Sequence, residues 1–435
     1  MSGWDAWLRE RDELRRQRGI DRFDAVLRLG GPDARNRDPL DLASNDYLGL
    51  SRDPRIVVAA HEALARYGAS ATASRLVTGT LLVHRDLEAS LCRLTDQPAA
   101  LAFSTGYAAN LGALTALSGR GSQILLDAHA HASLHDAARM SRVPYATFPH
   151  NDAAALDREL ATRAGHRVVV AVESIYSVLG DAAPLRELLQ VCHRHDALLV
   201  VDEAHGIGVA GQGRGLVHEL GLAGARDLVV TLTLSKALGS QGGAVLGSTA
   251  IRHHLVNTAR SFIFDTGLAP ASAAAACAAA DLVADDPSLA AAVNSNARTI
   301  AAICGIEQAA GAVQSLPMPS PEAALSAALD LRAEGVLVGC FRPPSVPDGI
   351  SRLRVTARAD FSGPALHEAA QLVARRAGVI EPRRAAGTVG RPRAGDAPSS
   401  ARGLASIKAD EGLPQRTAGH RESAPFAAVP RATDE

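Results

Sequence analysis

The 435-residue sequence predicts an α/β fold, a large mostly parallel sheet domain with helices on both faces joined to a smaller α+β C-terminal domain. Three observations carry that expectation. Short apolar runs alternate with helical periodicity over residues 98–247, polar residues collect where the runs end, and past Pro270 the rhythm gives way to Ala-rich helix and shorter strands. Strand and helix in alternation build parallel strands, because a crossover long enough to return the chain usually holds a helix.

Taken in order, residues 4–18 place Trp4, Trp7 and Leu8 among charges at helical spacing, which predicts an amphipathic helix laid against the main body. It opens an N-terminal helical arm over 1–40, ahead of a large domain over 41–270, a small domain over 271–378 and a tail over 379–435. Runs at 99–103, 168–172, 197–201, 228–232 and 243–246 are the expected strands of the large domain. Between the second and third, Leu185, Leu188, Leu189 and Cys192 recur at i, i+3, i+4 and i+7 behind Pro184, so a helix there links two parallel strands. Residues 336–340 and 353–356 read as strands of the small domain, and 365–376 as its closing helix. The tail is rich in Arg, Ala, Gly, Pro and Ser, with too few large apolar residues to offset its ordering entropy, and is expected to be disordered.

Composition narrows the function. A net charge of −1 offers no concentrated basic field for nucleic acid or an anionic membrane, and small-molecule chemistry is the better expectation. The N-terminus is charged from Asp5 and lacks the apolar stretch of an export signal, and no run approaches the roughly 20 apolar residues of a membrane span, so a cytoplasmic protein is expected. Five scattered cysteines form no C-x-x-C pair and read as reduced thiols rather than metal ligands. Lysine is the informative anomaly: of 45 basic residues only Lys236 and Lys408 are lysine. Arginine serves where charge alone is wanted. A lysine kept against that bias, behind an apolar run, points to chemistry a guanidinium cannot do, loss of a proton and attack on a carbonyl.

Asp202, Glu203, Ala204 and His205 follow one expected strand, and residues 233–236 (Thr-Leu-Ser-Lys) follow the next. Open parallel sheets bind ligands beyond the carboxyl ends of their strands. A carboxylate, an imidazole and an amine at two adjacent strand ends meet the needs of pyridoxal 5'-phosphate. Lys236 is the amine for its aldehyde, Asp202 the acid for its ring nitrogen, and His205 the group near its phenolic oxygen. Its phosphate needs converging N–H groups, which residues 104–107 (Ser-Thr-Gly-Tyr) offer between a strand and a helix. There Gly106 permits close approach, Tyr107 adds the next amide, and Thr233 can donate a hydroxyl beside the lysine.

Residues 44–50 (Ser-Asn-Asp-Tyr-Leu-Gly-Leu), 202–206 (Asp-Glu-Ala-His-Gly) and 234–239 (Leu-Ser-Lys-Ala-Leu-Gly) resemble the α-oxoamine synthases, and the match runs over about 4–376. That resemblance implies the type I fold of pyridoxal phosphate-dependent transferases and a homodimer with its site at the subunit interface. Lys236 would bond the cofactor aldehyde and later remove the substrate Cα proton. His131 would stack on the ring and Ser177 lie near the phenolic oxygen. Thr266 would reach the partner's phosphate. Arg354 and Thr356 would hold the substrate carboxylate, with Asn45 and Ser74 lining the same pocket. Stretches at 74–79, 262–270 and 338–344 are similar to the branch that joins L-alanine to a pimeloyl thioester, carried on coenzyme A or on an acyl carrier protein. Arg22, in competition with Arg15 and Asp21, would meet the distal pimeloyl carboxylate. A sister enzyme making 5-aminolevulinate, 2-amino-3-ketobutyrate or a sphingoid base, and a catalytically silent relative, stand as alternatives.

Two places depart from the family pattern. Leu179 stands where family members carry an acidic residue before a glycine, which puts the loop around Ser177 in question. The loop over 68–74 carries side chains at Ser70 and Ala73 where glycines are usual, so a positive φ at either would cost about 1–2 kcal/mol.

Overall fold

A computed structural model of the chain describes residues 2–18, 39–361 and 363–379. Asp21, Arg22 and the expected tail beyond Val379 lie outside the described residues. Seven strands form the large sheet: β1 (Ala99–Phe103), β2 (Ser122–Asp127), β3 (Tyr145–Phe148), β4 (Arg167–Glu173), β5 (Leu198–Asp202), β6 (Leu228–Thr233) and β7 (Gly243–Gly247). They lie in the order β1-β7-β6-β5-β4-β2-β3, and only β7 runs against its neighbours. The helix Leu185–Arg194 joins the parallel pair β4 and β5, as its apolar spacing predicts.

Side-chain alternation along the central strands splits the core in two. Val170, Val172, Leu199, Val201, Val230 and Leu232 face one cluster, into which the helices Leu82–Thr95, Leu185–Arg194 and Pro270–Asp285 pack. Val169, Ala171, Val200 and Val229 face the other, under the helices Gly106–Leu117 and Ala132–Ser141. Strands apolar at every position are the mark of a sheet covered on both faces. Such covering leaves the strand ends as the place where polar groups can gather.

A second, antiparallel sheet contains β8 (Val313–Pro317), β9 (Gly339–Phe341) and β10 (Arg352–Thr356) in the order β9-β10-β8. The strand expected over 336–340 is divided, since Val336 and Leu337 pair with Leu40 and Asp41 and only the residues from Gly339 join β10. Beside β10, Thr356 N donates to Leu42 O and Ala359 N to Tyr47 O, which ties the first motif to this sheet. The lysine loop meets the same motif: at Gly239 (φ +59) a Cβ would stand 2.5 Å from Ser51 N, so no side chain fits there.

One further expectation is corrected, and two questions about loops are answered. The N-terminal helix forms over Gly3–Gln17 with a Ser2–Asp5 capping box, yet it buries none of its residues, and Trp4, Trp7 and Leu8 are 72%, 45% and 51% exposed. Local bonds hold it instead: the cap, ion pairs of Arg15 with Asp12 and Arg16 with Glu13, and an edge contact between the two tryptophans. In the loop over 68–74 positive φ falls on Gly68 (φ 81) and Thr72 (φ 62), not on Ser70 or Ala73, and Ser70 Oγ accepts the Thr72 N–H. Leu179 leaves the loop around Ser177 closed, because Gly180 N donates to Tyr176 O and Tyr176 N to Asp181 O, both at 2.9 Å. The turn rests on backbone bonds, with Gly180 at φ +77. Among the described residues no helix is long and apolar enough to cross a membrane.

Leu188 is wholly buried on the helix that bridges β4 and β5. Leu188→Ala is expected to lower unfolding stability by about 2–5 kcal/mol in a denaturant titration, whereas Leu329→Ala, on an exposed helix face, leaves the midpoint within error.

Candidate active site

Three adjacent parallel strands end on acids or hydroxyls: β4 on Glu173, β5 on Asp202 and β6 on Thr233. Glu173 and Asp202 are direct register partners, and both are buried. Asp202 is anchored on both oxygens, by the Ala204 N–H at 2.9 Å and by Asn110 Nδ2 at 2.8 Å. Asn110 is held in turn, its oxygen accepting from Thr231 Oγ1 at 2.6 Å and its nitrogen donating to Ser133 Oγ at 2.9 Å. Donors on both oxygens fix the orientation of the carboxylate, which suits an acid meant to face a ring nitrogen.

Glu173 is the opposite case. Its one bond comes from the Ser177 N–H at 3.1 Å, and Oε1 has no partner although it is buried. Burial first, then the Asp202 charge, push its carboxyl up to about 8, so at neutral pH Glu173 holds its proton.

Lys236 reaches in from the loop after β6, with Ala237 and Leu238 buried behind it. Burial is the largest influence on its amine and brings it down to about 8, against the opposing pull of Asp202 and Glu173. Its Nζ lies 2.8 Å from His205 Nε2, and His205 Nδ1 lies 2.5 Å from the hydroxyl of wholly buried Tyr47. Burial, with Lys236, Arg354 and His131 nearby, holds His205 well below its ordinary value, so the imidazole is neutral.

Lys236, His205, Asp202, His131, Thr233, Gly106 and Tyr107 line one cavity of about 260 Å³ together with Asn110 and Glu173. Its far wall is the start of the helix Gly106–Leu117, capped by Thr105, whose first N–H groups have no partner within the helix. A Cβ on Gly106 would lie 2.9 Å from the Thr233 Cβ, so glycine keeps that wall open. An amine, an anchored acid, a neutral imidazole and an anion-binding helix end fit pyridoxal phosphate.

A larger cavity of about 600 Å³ adjoins it and shares His131, His205 and Lys236. Asn45, Ser177 and Arg354 line it as well. Arg354 is buried, and its donors go to neutral oxygens: Ser177 O at 2.9 Å, Asn45 Oδ1 at 3.0 Å and Thr356 Oγ1 at 3.5 Å. None of the ion pairs seen among the described residues uses it. Thr356 is wholly buried behind Arg354 and lines neither cavity.

Ser74 and Thr266 stand apart. They pair with each other in an isolated bridge, and Thr266 lines a separate crevice with Arg75 and Asp265. Within one chain they are not brought to Lys236. Asn110 and Tyr47 are site residues to which sequence reasoning assigns no role, and Glu173 counts there only as a polar residue at a strand end. Asn110 had a signal, a lone amide on an apolar helix, and Tyr47 lay inside a motif already singled out.

Residues 37–373 match the model of the family described as aminotransferase class I and II. An 8-amino-7-oxononanoate synthase of Mycolicibacterium gilvum is 54% identical over 359 residues, covering 82% of this chain and 93% of the relative. Among solved structures, a serine palmitoyltransferase from S. paucimobilis with bound PLP superposes with a TM-score of 0.79 at 30% identity, covering 87% of this chain and 98% of its own. An 8-amino-7-oxononanoate synthase from Francisella tularensis shares the fold, with a TM-score of 0.66 at 23% identity over 78% of this chain and 97% of its own. With more than half of the aligned residues identical to such a synthase across nearly the relative's whole length, the chain belongs to the class I and II aminotransferase family, in its 8-amino-7-oxononanoate synthase branch, and its cofactor is pyridoxal 5'-phosphate.

Proposed function

We propose that the chain condenses L-alanine with a pimeloyl thioester, releasing the carrier thiol and carbon dioxide and leaving 8-amino-7-oxononanoate, a step of biotin biosynthesis carried out in the cytoplasm. The observation that carries the amino acid half is Arg354, a buried guanidinium without a carboxylate partner in the cavity that Lys236 also lines. Its fork suits a bidentate acid. Room beyond Lys236 favours a long acyl partner: the 600 Å³ cavity mixes apolar walls, Ala128, Ala130, Val178, Phe341 and Pro347, with imidazoles and hydroxyls, and has no acid in its lining.

Pyridoxal phosphate, when bound, supplies an electron sink for the pair released at the amino acid Cα. Asp202, held in place by Asn110, would keep the proton on the ring nitrogen. His131 would cover the ring, Ser177 and His205 would serve its phenolic oxygen, and Gly106, Tyr107 and Thr233 would hold the phosphate. Lys236, neutral once deprotonated, takes the Cα proton and returns one after carbon dioxide leaves, its lowered affinity for a proton suiting both transfers. Arg354 fixes the amino acid carboxylate, with Asn45 bracing the guanidinium and Thr356 behind it.

A homodimer belongs to the same proposal. Thr266 and Ser74 lie away from the Lys236 cavity of their own chain, among exposed apolar side chains, Val77 at 75% and Phe264 at 70%, as a surface serving a second copy's site would be. Arg22, outside the described residues, is kept as the partner of the distal pimeloyl carboxylate.

With pimeloyl-CoA or pimeloyl carrier protein as acyl donor, turnover is expected with L-alanine and not with glycine or L-serine; preference for either of those would move the chain to a sister activity, and none at all to a silent relative. Arg354→Ala is expected to raise the KM for alanine roughly 10- to 100-fold, as loss of a charged hydrogen bond would, and an unchanged KM contradicts its role. Sedimentation is expected to give a dimer, and a fully active monomer would remove Thr266 from the site.

A further inference from the structure

Tyr47 is wholly buried, its backbone is tied to the small sheet through Ala359, and its hydroxyl meets the one imidazole that touches the reactive amine. A phenol has one proton to give. Two acceptors compete for it: His205 Nδ1 at 2.5 Å and Asn45 Oδ1 at 3.3 Å. The second lies beyond good hydrogen-bond length for an O–H donor and already receives Arg354 Nη2 at 3.0 Å. The Arg354 guanidinium, whose charge acts most strongly on the phenol, can only donate and does not compete for its proton. Nδ1 is therefore the better-placed acceptor for that proton.

We propose that Tyr47 is a positioning residue for this reaction: by donating to Nδ1 it fixes His205 in the tautomer that carries its proton on Nε2, and so sets a hydrogen-bond donor on the cavity floor, facing the Lys236 amine. A neutral imidazole that accepts on one nitrogen must donate from the other. The groups around His205 agree. Lys236 and Arg354 from their loop and strand, and His131 from its helix start, all disfavour a doubly protonated ring, and burial disfavours it more. Tyr47 stays a phenol, since burial pushes its hydroxyl up to about 12.

Two consequences follow for the amine and for the cofactor. An ammonium at Nζ would set donor against donor across 2.8 Å, so this tautomer favours the neutral amine, the form able to attack an aldehyde. Once that amine is bonded, the Nε2 proton remains as a donor for the phenolic oxygen and favours its ionised form. The inference rests on pyridoxal phosphate as cofactor and is independent of which amino acid or thioester reacts.

Nitrogen NMR of the holoenzyme labelled at histidine tests it, with the His205 signals identified by their loss in His205→Gln. The expected result is a proton on Nε2 in the unaltered protein and, in Tyr47→Phe, a shift of roughly tenfold toward the Nδ1-protonated form, as loss of one short hydrogen bond allows. Nδ1 protonated in the unaltered protein overturns the proposal whatever the variant does, and so does a folded Tyr47→Phe whose tautomer ratio is unchanged. Wrong substrates in the turnover assay would leave this result untouched.

Discussion

The burial of one amine beside two carboxyl groups is the constraint on which the rest of the site depends. Lys236 has to leave water to stand over a cofactor, and leaving water disfavours its charge; Asp202 and Glu173, one strand and two strands away, pull the other way. Their division of labour follows from what donates to each. Asp202 receives hydrogen bonds on both oxygens, while Glu173 receives one, and burial beside Asp202 pushes its carboxyl up so that it keeps its proton at neutral pH. Two free carboxylates side by side would raise the amine's affinity for its proton further.

The sheet makes this arrangement possible. Strands β4, β5 and β6 are parallel, so their carboxyl ends open on one edge, and both faces are sealed by helices so that only this edge is free for polar groups. The second sheet completes the site from above. It carries Arg354 and, through its bonds to residues 42 and 47, holds Asn45 and Tyr47 over His205. Arg354 thus braces Asn45 on one side of Tyr47, and on the other the Tyr47 hydroxyl meets the imidazole that touches the reactive amine.

Much of this is legible in the sequence, for physical reasons. Strands buried on both faces are apolar runs, so 99–103 is found with the observed bounds and β4, β5, β6 and β7 within a residue or so. The scarcity of lysine marks Lys236, and strand ends mark Asp202. The peripheral β3 has only one buried residue, Phe148, and leaves no such run, while β2 opens on Ser122 and Gln123. Partnerships across the chain are illegible: Tyr47 and His205 are 158 residues apart, and no local pattern tells that their side chains meet. The N-terminal helix shows the converse, since periodicity and caps specify a helix but not what covers it. Thr72, not its neighbours, takes the left-handed conformation, because the loop's closure decides where the turn falls.

A polar cavity that eases the loss of a proton from an amine, anchors an acid and leaves a guanidinium without an ion-pair partner is built for an amino acid whose Cα must lose a proton, and the room beside it for the chain that amino acid receives. The most direct test of that account is the pH dependence of the rate at which the cofactor-free protein captures pyridoxal phosphate, followed by visible absorbance. Because only the neutral amine attacks, the rate should climb about tenfold per pH unit and level off near 8, the value to which burial brings Lys236. A rate that continues to climb toward the ordinary lysine value would show that the amine is not tuned by its surroundings, and would contradict the central claim.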